Sequence, residues 1–289
     1  MGSPNCKMKS GFGIETACLK QKTMEIALKK IVTVPFLTIL LMLSLTACKK
    51  DKSENPEFSG TCYISSMGFL KIDYSPSYKP IRIMVAEEPD SELDTVIVYQ
   101  YNSSGKIEII YYPSEPSYDE YDSILYDESG RVAFCRNYYE GEPQGTASYR
   151  YNESGQLVEV TLSGYASKGF SLKQRLISGT VRFEYDASGN VTKETTYSGS
   201  QIIERYEYTY DNMRNPYREW NLPEGFGWWN MAKLLSKNNF TKEIYFDSYG
   251  NTTTTTNAAY EYNSNGYPVN MLLTGEDSGG NYPATYQCI

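Results

Sequence analysis

Three tryptophans, six cysteines and 35 acidic side chains are the residues of this 289-residue chain best equipped for chemistry, and no histidine accompanies them. Without imidazole the chain holds no Ser-His-Asp triad, no Cys-His pair and no histidine-ligated zinc. Two carboxylates can hydrolyse a glycosidic bond, but only when they face each other across a sugar, and no motif singles out such a pair. Acidic turns such as Asp127-Glu128 supply one or two carboxylates each, whereas calcium takes roughly six to eight oxygens. The expectation is therefore no metal, no cofactor and no enzymatic activity. Trp220, Trp228 and Trp229 are the candidates for ligand contact, because a cleft lined by indoles can stack on a sugar. The net charge of −8 argues against nucleic acid, which needs a basic footprint.

The cysteines divide by position. Cys48 follows Ile31 to Leu45, an uncharged apolar run of fifteen residues preceded by Lys29 and Lys30. That is shorter than the roughly 20 residues a membrane-spanning helix needs, and it has the basic flank and apolar stretch of a secretory signal. Leu45-Thr46-Ala47-Cys48 resembles the bacterial lipobox, in which the signal is cut before a cysteine that carries the lipid. The resemblance implies lipidation at Cys48 and attachment to a membrane, the outer membrane given Lys49 directly after it. Met24 opens a normal signal, so residues 1–23 read as an upstream artefact and 24–47 as the signal peptide. Removing residues 1–47, with six lysines and two glutamates, leaves −12 on the chain from Cys48. Residues 48–60, charged and interrupted by Pro56, read as a tether.

These residues sit on a repeat that fills most of 61–289. YNSSGKI starts at Tyr101, YDESGRV at Tyr126, YNESGQL at Tyr151 and YDASGNV at Tyr185, followed by YDNMRNP at Tyr210, FDSYGNT at Phe246 and YNSNGYP at Tyr262. The aromatics stand 25, 25, 34, 25, 36 and 16 residues apart. Asp or Asn opens a type I turn, and the glycine three residues on takes the positive φ that other residues resist. Gly105, Gly130, Gly155, Gly189, Gly250 and Gly266 are the structural turn residues. The flanks alternate with the period of a strand that has one buried and one wet face, as in Val181-Arg182-Phe183-Glu184-Tyr185. The 28 tyrosines are then explained by rings stacking across strands. Within 211–250 the rhythm breaks. Trp228, Met231, Leu234 and Leu235 fall at helical spacing, which predicts a short helix near 227–238.

Tyr126-Asp127-Glu128-Ser129-Gly130-Arg131 resembles the YD repeat of the RHS and teneurin families. With the lipobox and acidic charge, the chain looks like the small YD-like lipoproteins of Bacteroidetes. The predicted architecture is all-β: an extended, twisted antiparallel meander of YD-like hairpins, a dozen or more strands, with one short helical insertion. Strands that add in order move the chain sideways by about 4.8 Å each. Cys62, Cys135 and Cys288 would then lie too far apart to bridge, so no disulfide is expected. The function this suggests is a non-catalytic interaction or scaffold module of the cell envelope, with envelope proteins or polysaccharide as partners. The alternative is a carbohydrate-binding accessory lipoprotein that uses the tryptophans of the insertion.

Overall fold

A computed structural model of the chain describes residues 59–86, 92–114, 117–164, 178–220, 231–275 and 279–289. The signal, Cys48, nearly all of the tether, Trp228 and Trp229 lie outside the described residues. The first eight strands are β1 Cys62–Met67, β2 Leu70–Tyr74, β3 Pro80–Ala86, β4 Leu93–Tyr101, β5 Ile107–Ser114, β6 Ser117–Tyr126, β7 Val132–Tyr139 and β8 Glu142–Tyr151. The remaining eight are β9 Leu157–Ser163, β10 Ser178–Tyr185, β11 Val191–Ser198, β12 Gln201–Tyr210, β13 Phe240–Phe246, β14 Thr252–Tyr262, β15 Pro268–Gly275 and β16 Gly280–Cys288.

Every strand pairs antiparallel with its chain neighbours, and β16 returns to pair with β1. The fold is all-β, but the open meander is overturned: the sheet is a closed sixteen-strand barrel. The expectation of no disulfide falls with it. Cys62 and Cys288 face each other across the seam, their Cα atoms 4.0 Å apart, and are disulfide-bonded. Cys135 is a fully buried thiol in the interior.

The closure has a local cause. At Tyr74, Tyr101, Tyr126, Tyr151, Tyr185, Tyr210, Phe246 and Tyr262 the strand register slips where the aromatic precedes a turn or the insertion. A bulge bends its strand and sharpens the twist. Repeated around the sheet, seven times at one end and once, at Phe246, at the other, it curls the sheet until the ends meet.

The turns form as their residue types dictate. Asn102 accepts the N–H groups of Ser104 and Lys106 on its side chain, while its own carbonyl accepts from Gly105. Asp127, Asn152, Asp186, Asp247 and Asn263 repeat the arrangement. Gly105, Gly130, Gly155, Gly189, Gly250 and Gly266 have φ between 76° and 90°. At Gly155 an added Cβ would meet nothing within 4 Å, so the demand for glycine there comes from the backbone alone. The turn of Gly250 joins β13 to β14 and so lies at the opposite end of the barrel from the other five. A turn of the same form, Tyr74 to Pro80, joins β2 to β3 with the other five.

The tyrosines of this turn end do more than stack. Tyr74, Tyr101, Tyr126 and Tyr151 donate their hydroxyls to the carbonyls of Ile64, Pro80, Ile107 and Val132, at 2.6–2.9 Å. Tyr185, Tyr210, Tyr260 and Tyr286 do the same to Leu157, Val191, Phe240 and Pro268, at 2.6–2.8 Å. Each even-numbered strand is thereby clipped to the odd-numbered strand before it, eight times around the barrel. Lys79, Lys106 and Arg131 lie over the clip rings of Tyr101, Tyr126 and Tyr151, a contact worth about 0.5–1 kcal/mol when exposed.

Alternation sorts the two faces. Ile124 opposite Cys135 and Asp122 opposite Asn137 point inward, whereas Tyr121 stacks on Tyr138 outside at 4.7 Å between ring centroids. Ile64, Ile83, Ile110, Leu157, Val181 and Val191 fill the interior. Between β12 and β13 the described residues of the insertion, 211–220 and 231–239, leave the wall. There Pro216–Trp220 forms a 3₁₀ turn and Met231–Leu235 the helix α1, with Met231, Ala232 and Leu235 buried in the core.

Candidate functional site

The insertion is fastened to the inner wall through polar contacts. Ser236 accepts the N–H of Val191 on its hydroxyl and donates to Ala232, one turn back. Asn215 donates to the carbonyls of Lys233 and Ser236, which secures the end of α1. Asn190 and Asn238 bind each other between the β10–β11 turn and the insertion. Arg214 donates to Gly60 and to the Tyr267 hydroxyl, beside the seam.

With the insertion on one side and the walls of β1–β3 and β13–β16 on the other, a cavity of about 370 Å³ remains. Met67, Phe69, Leu70 and Val85 line it from β1–β3, and Phe240, Tyr260, Met271, Leu273 and Tyr282 from the strands opposite. The insertion adds Asn215, Tyr217 and Lys233. Its volume falls within the roughly 300–1,000 Å³ typical of small-molecule sites, which are mostly apolar with a few polar groups. Gly68 closes the tight β1–β2 turn beside it with φ 58°, and an added Cβ there would come within 2.7 Å of the Tyr282 ring. Tyr217 donates to the Met67 sulfur at 3.6 Å, and burial holds its phenol well above the ordinary value.

Lys233 carries the charge on the cavity wall. Its Nζ is 2.9 Å from a Glu243 carboxylate oxygen and 4.2 Å from the centre of the Phe240 ring. Glu194, fully buried on β11, accepts the N–H of Ala232. Burial, and then the charges of Glu204 and Glu243, push its carboxyl up to about 7. A second polar group lies farther round the interior, where Tyr112 and Asn137 donate to Asp122 at 2.8 and 3.0 Å. Burial and the neighbouring Asp122 raise the Tyr112 phenol well above its ordinary range.

Trp220 ends the 3₁₀ turn, and Trp228 and Trp229 lie outside the described residues, as does Cys48. The turn glycines Gly105, Gly130, Gly155, Gly189, Gly250 and Gly266 stand at the barrel ends, and none of them lines the cavity. The residues that line the cavity carry no motif. Their one signal is the gathering of apolar side chains in Met67-Gly68-Phe69-Leu70 and Met271-Leu272-Leu273, which periodicity alone reads as core.

No family model matches the chain, and no curated protein matches it. Among solved structures it is similar to a porin-like protein from Bacteroides uniformis, at 11% identity and a TM-score of 0.48, over 75% of this chain and 90% of that one. A porin-like protein from Bacteroides vulgatus is similar over 78% of this chain and 99% of its own, at 11% identity and a TM-score of 0.41. The Photorhabdus luminescens Tc holotoxin pore is similar at 12% identity and a TM-score of 0.32, over 69% of this chain and 10% of that one.

Proposed function

We propose that the chain is a non-catalytic binding module of the bacterial cell envelope, a YD-like lipoprotein held by a lipid at Cys48, whose barrel takes the apolar part of a small molecule into its interior. The observation that carries this reading is the apolar cavity of about 370 Å³ between wall and insertion. The outer wall supports a position beside the membrane rather than within it. A lipid-spanning barrel turns an apolar band outward, whereas here Arg150 and Arg182 share Glu159, and Lys193 pairs with Glu184, on the outside of the strands. The basic side chains of these pairs are 34–62% exposed.

Two measurements test the proposal. Cys48→Ser should move the protein from the membrane to the soluble fraction of its host, and retention in the membrane would refute the anchor. An apolar fluorescent probe such as N-phenyl-1-naphthylamine should bind the protein, and Leu273→Trp should abolish that binding by filling the cavity while the β-sheet circular dichroism is kept. Undiminished probe binding in the folded Leu273→Trp variant would refute the site.

A further inference from the structure

The dimensions of the cavity bear on what can fill it. We propose that the site takes one unbranched alkyl chain of about twelve carbons, the tail of a single-chain amphiphile whose head stays in water. This deepens the cavity reading above and rests on it.

Length gives the first constraint. Phe240 and Pro268, which open β13 and β15 at the turn end, line the cavity together with Leu273, farther along β15, and Phe69, between β1 and β2. From Pro268 to Leu273 the strand advances five residues, with a register slip near Pro268, which spans about 15 Å. Carbon–carbon bonds of about 1.5 Å advance a staggered chain by about 1.25 Å each, so about twelve carbons cover the same distance.

Volume gives the second. Liquid water has about 30 Å³ per molecule, and a methylene takes nearly as much. The roughly 370 Å³ of the cavity therefore hold about twelve carbons. One chain meets length and volume together, which leaves no width for a second chain beside it or for the fused rings of a sterol. Met67 and Met271 give the wall flexible thioethers, which adapt to a flexible tail. Polar groups of the lining are turned to the protein: Asn215 donates to the carbonyls of Lys233 and Ser236, Asn239 to that of Arg214, and Lys233 pairs with Glu243.

The two ends of this length differ. At the turn end Phe240 is 8% and Asn215 4% exposed, and Pro216 is fully buried. At the other end Phe69 is 44% exposed. Among the described residues the lining therefore opens beside Phe69. A tail enters there methyl first, and the head remains outside.

The test uses linear alcohols from hexanol to hexadecanol as competitors of the apolar probe on the full-length chain carrying Cys48→Ser. Affinity should rise about fourfold with each added methylene up to about twelve carbons and level off beyond. Dioctanoyl phosphatidylcholine, with two short chains, should bind no tighter than octanol, and cholesterol should leave the probe in place. A rise that stops by octanol or continues undiminished to hexadecanol overturns the inference, as does displacement by cholesterol at the affinity of dodecanol. Met271→Trp adds bulk midway along the cavity and should move the break to a shorter chain; an unchanged break in the folded variant also overturns it. The series on the unsubstituted protein decides the matter even where the variant fails to fold. If the probe itself does not bind, the cavity reading fails and takes this inference with it. If the probe binds and the series shows no break, only the chain-length inference fails.

Discussion

Among the described residues, wall side chains alone form the core from β4 to β10, whereas from β11 round to β3 the insertion joins the wall in filling the interior. In the first sector Ile107, Ile110, Ile124, Leu157, Val160 and Val181 close the core, and within it Tyr112 and Asn137 both donate to Asp122. In the second sector the insertion supplies Met231, Ala232 and Leu235 and leaves the cavity. The wall is nonetheless clipped identically in both, by Tyr126 and Tyr151 in the first and by Tyr260, Tyr286 and Tyr74 in the second. Closing the barrel and filling it are thus separate tasks. A repeat performs the first, so the segment that performs the second is free to vary.

The largest effect should come from the seam, which lies in the second sector. Cys62 and Cys288 join residues 226 apart in sequence, and in the chain-entropy account a loop of that length contributes up to about 5 kcal/mol. Cys62→Ser combined with Cys288→Ser should lower stability by about 3–5 kcal/mol in urea unfolding, and reductant should reproduce the loss in the unsubstituted protein. An unchanged midpoint would mean that the clips and the β1–β16 ladder close the barrel unaided.

The boundary between the sectors is set by Glu194, where wall and insertion meet. Its carboxyl titrates near 7 in the folded protein against an ordinary value of 4.5, chiefly because it is buried. The folded state therefore holds the proton more tightly than the unfolded chain. The resulting stability is fully present below pH 4.5, is lost as pH rises from there to about 7, and stays lost above. The difference corresponds to roughly 3 kcal/mol. Glu194→Gln keeps an acceptor for the Ala232 N–H and has no proton to lose, so its stability should not fall across that window. At pH 8 it should be more stable than the unsubstituted protein by up to that amount. Asp127, held below its ordinary value first by the Arg131 N–H, gives the opposite slope at lower pH, so the comparison belongs above pH 4.5. Parallel pH profiles for the two proteins would show that the insertion does not seal Glu194 from water.

The divided architecture also explains what the residues alone could reveal. Asp/Asn-x-x-Gly turns and alternating flanks are local chemistry, and they were legible unit by unit. Closure was not, because it depends on the bulge at each aromatic and on a hydroxyl that reaches the neighbouring hairpin, both invisible in a linear pattern. Phe246 opens a turn that reads like the others yet stands at the far end. Only β13 stands between it and Tyr210, whereas the other repeat turns are two strands apart. Of Cys62, Cys135 and Cys288, the first and last read as the most distant pair along the chain, yet they are bonded across the seam of the barrel. The cavity lining was hidden because Met67, Phe240 and Met271 obey the core pattern and belong to the core, and only the fold shows that they also face the cavity.

The smallest effect bears most directly on whether closing and filling are independent. Tyr151→Phe removes the hydroxyl donated to Val132 in the wall-filled sector, and Tyr260→Phe removes the one donated to Phe240 beside the cavity. Each substitution keeps the ring and its packing, so the loss reports the hydrogen bond, about 1 kcal/mol. Tyr121→Phe, on an outward ring that stacks on Tyr138, serves as the control and should change stability by less than about 0.5 kcal/mol. If clip and filling are separate, the Tyr151 and Tyr260 losses should agree within about 0.5 kcal/mol. A markedly larger loss at Tyr260, measured by the same urea titration, would mean that the wall beside the cavity depends on its clip because nothing inside supports it. The insertion would then be a structural prop as much as one side of a binding site.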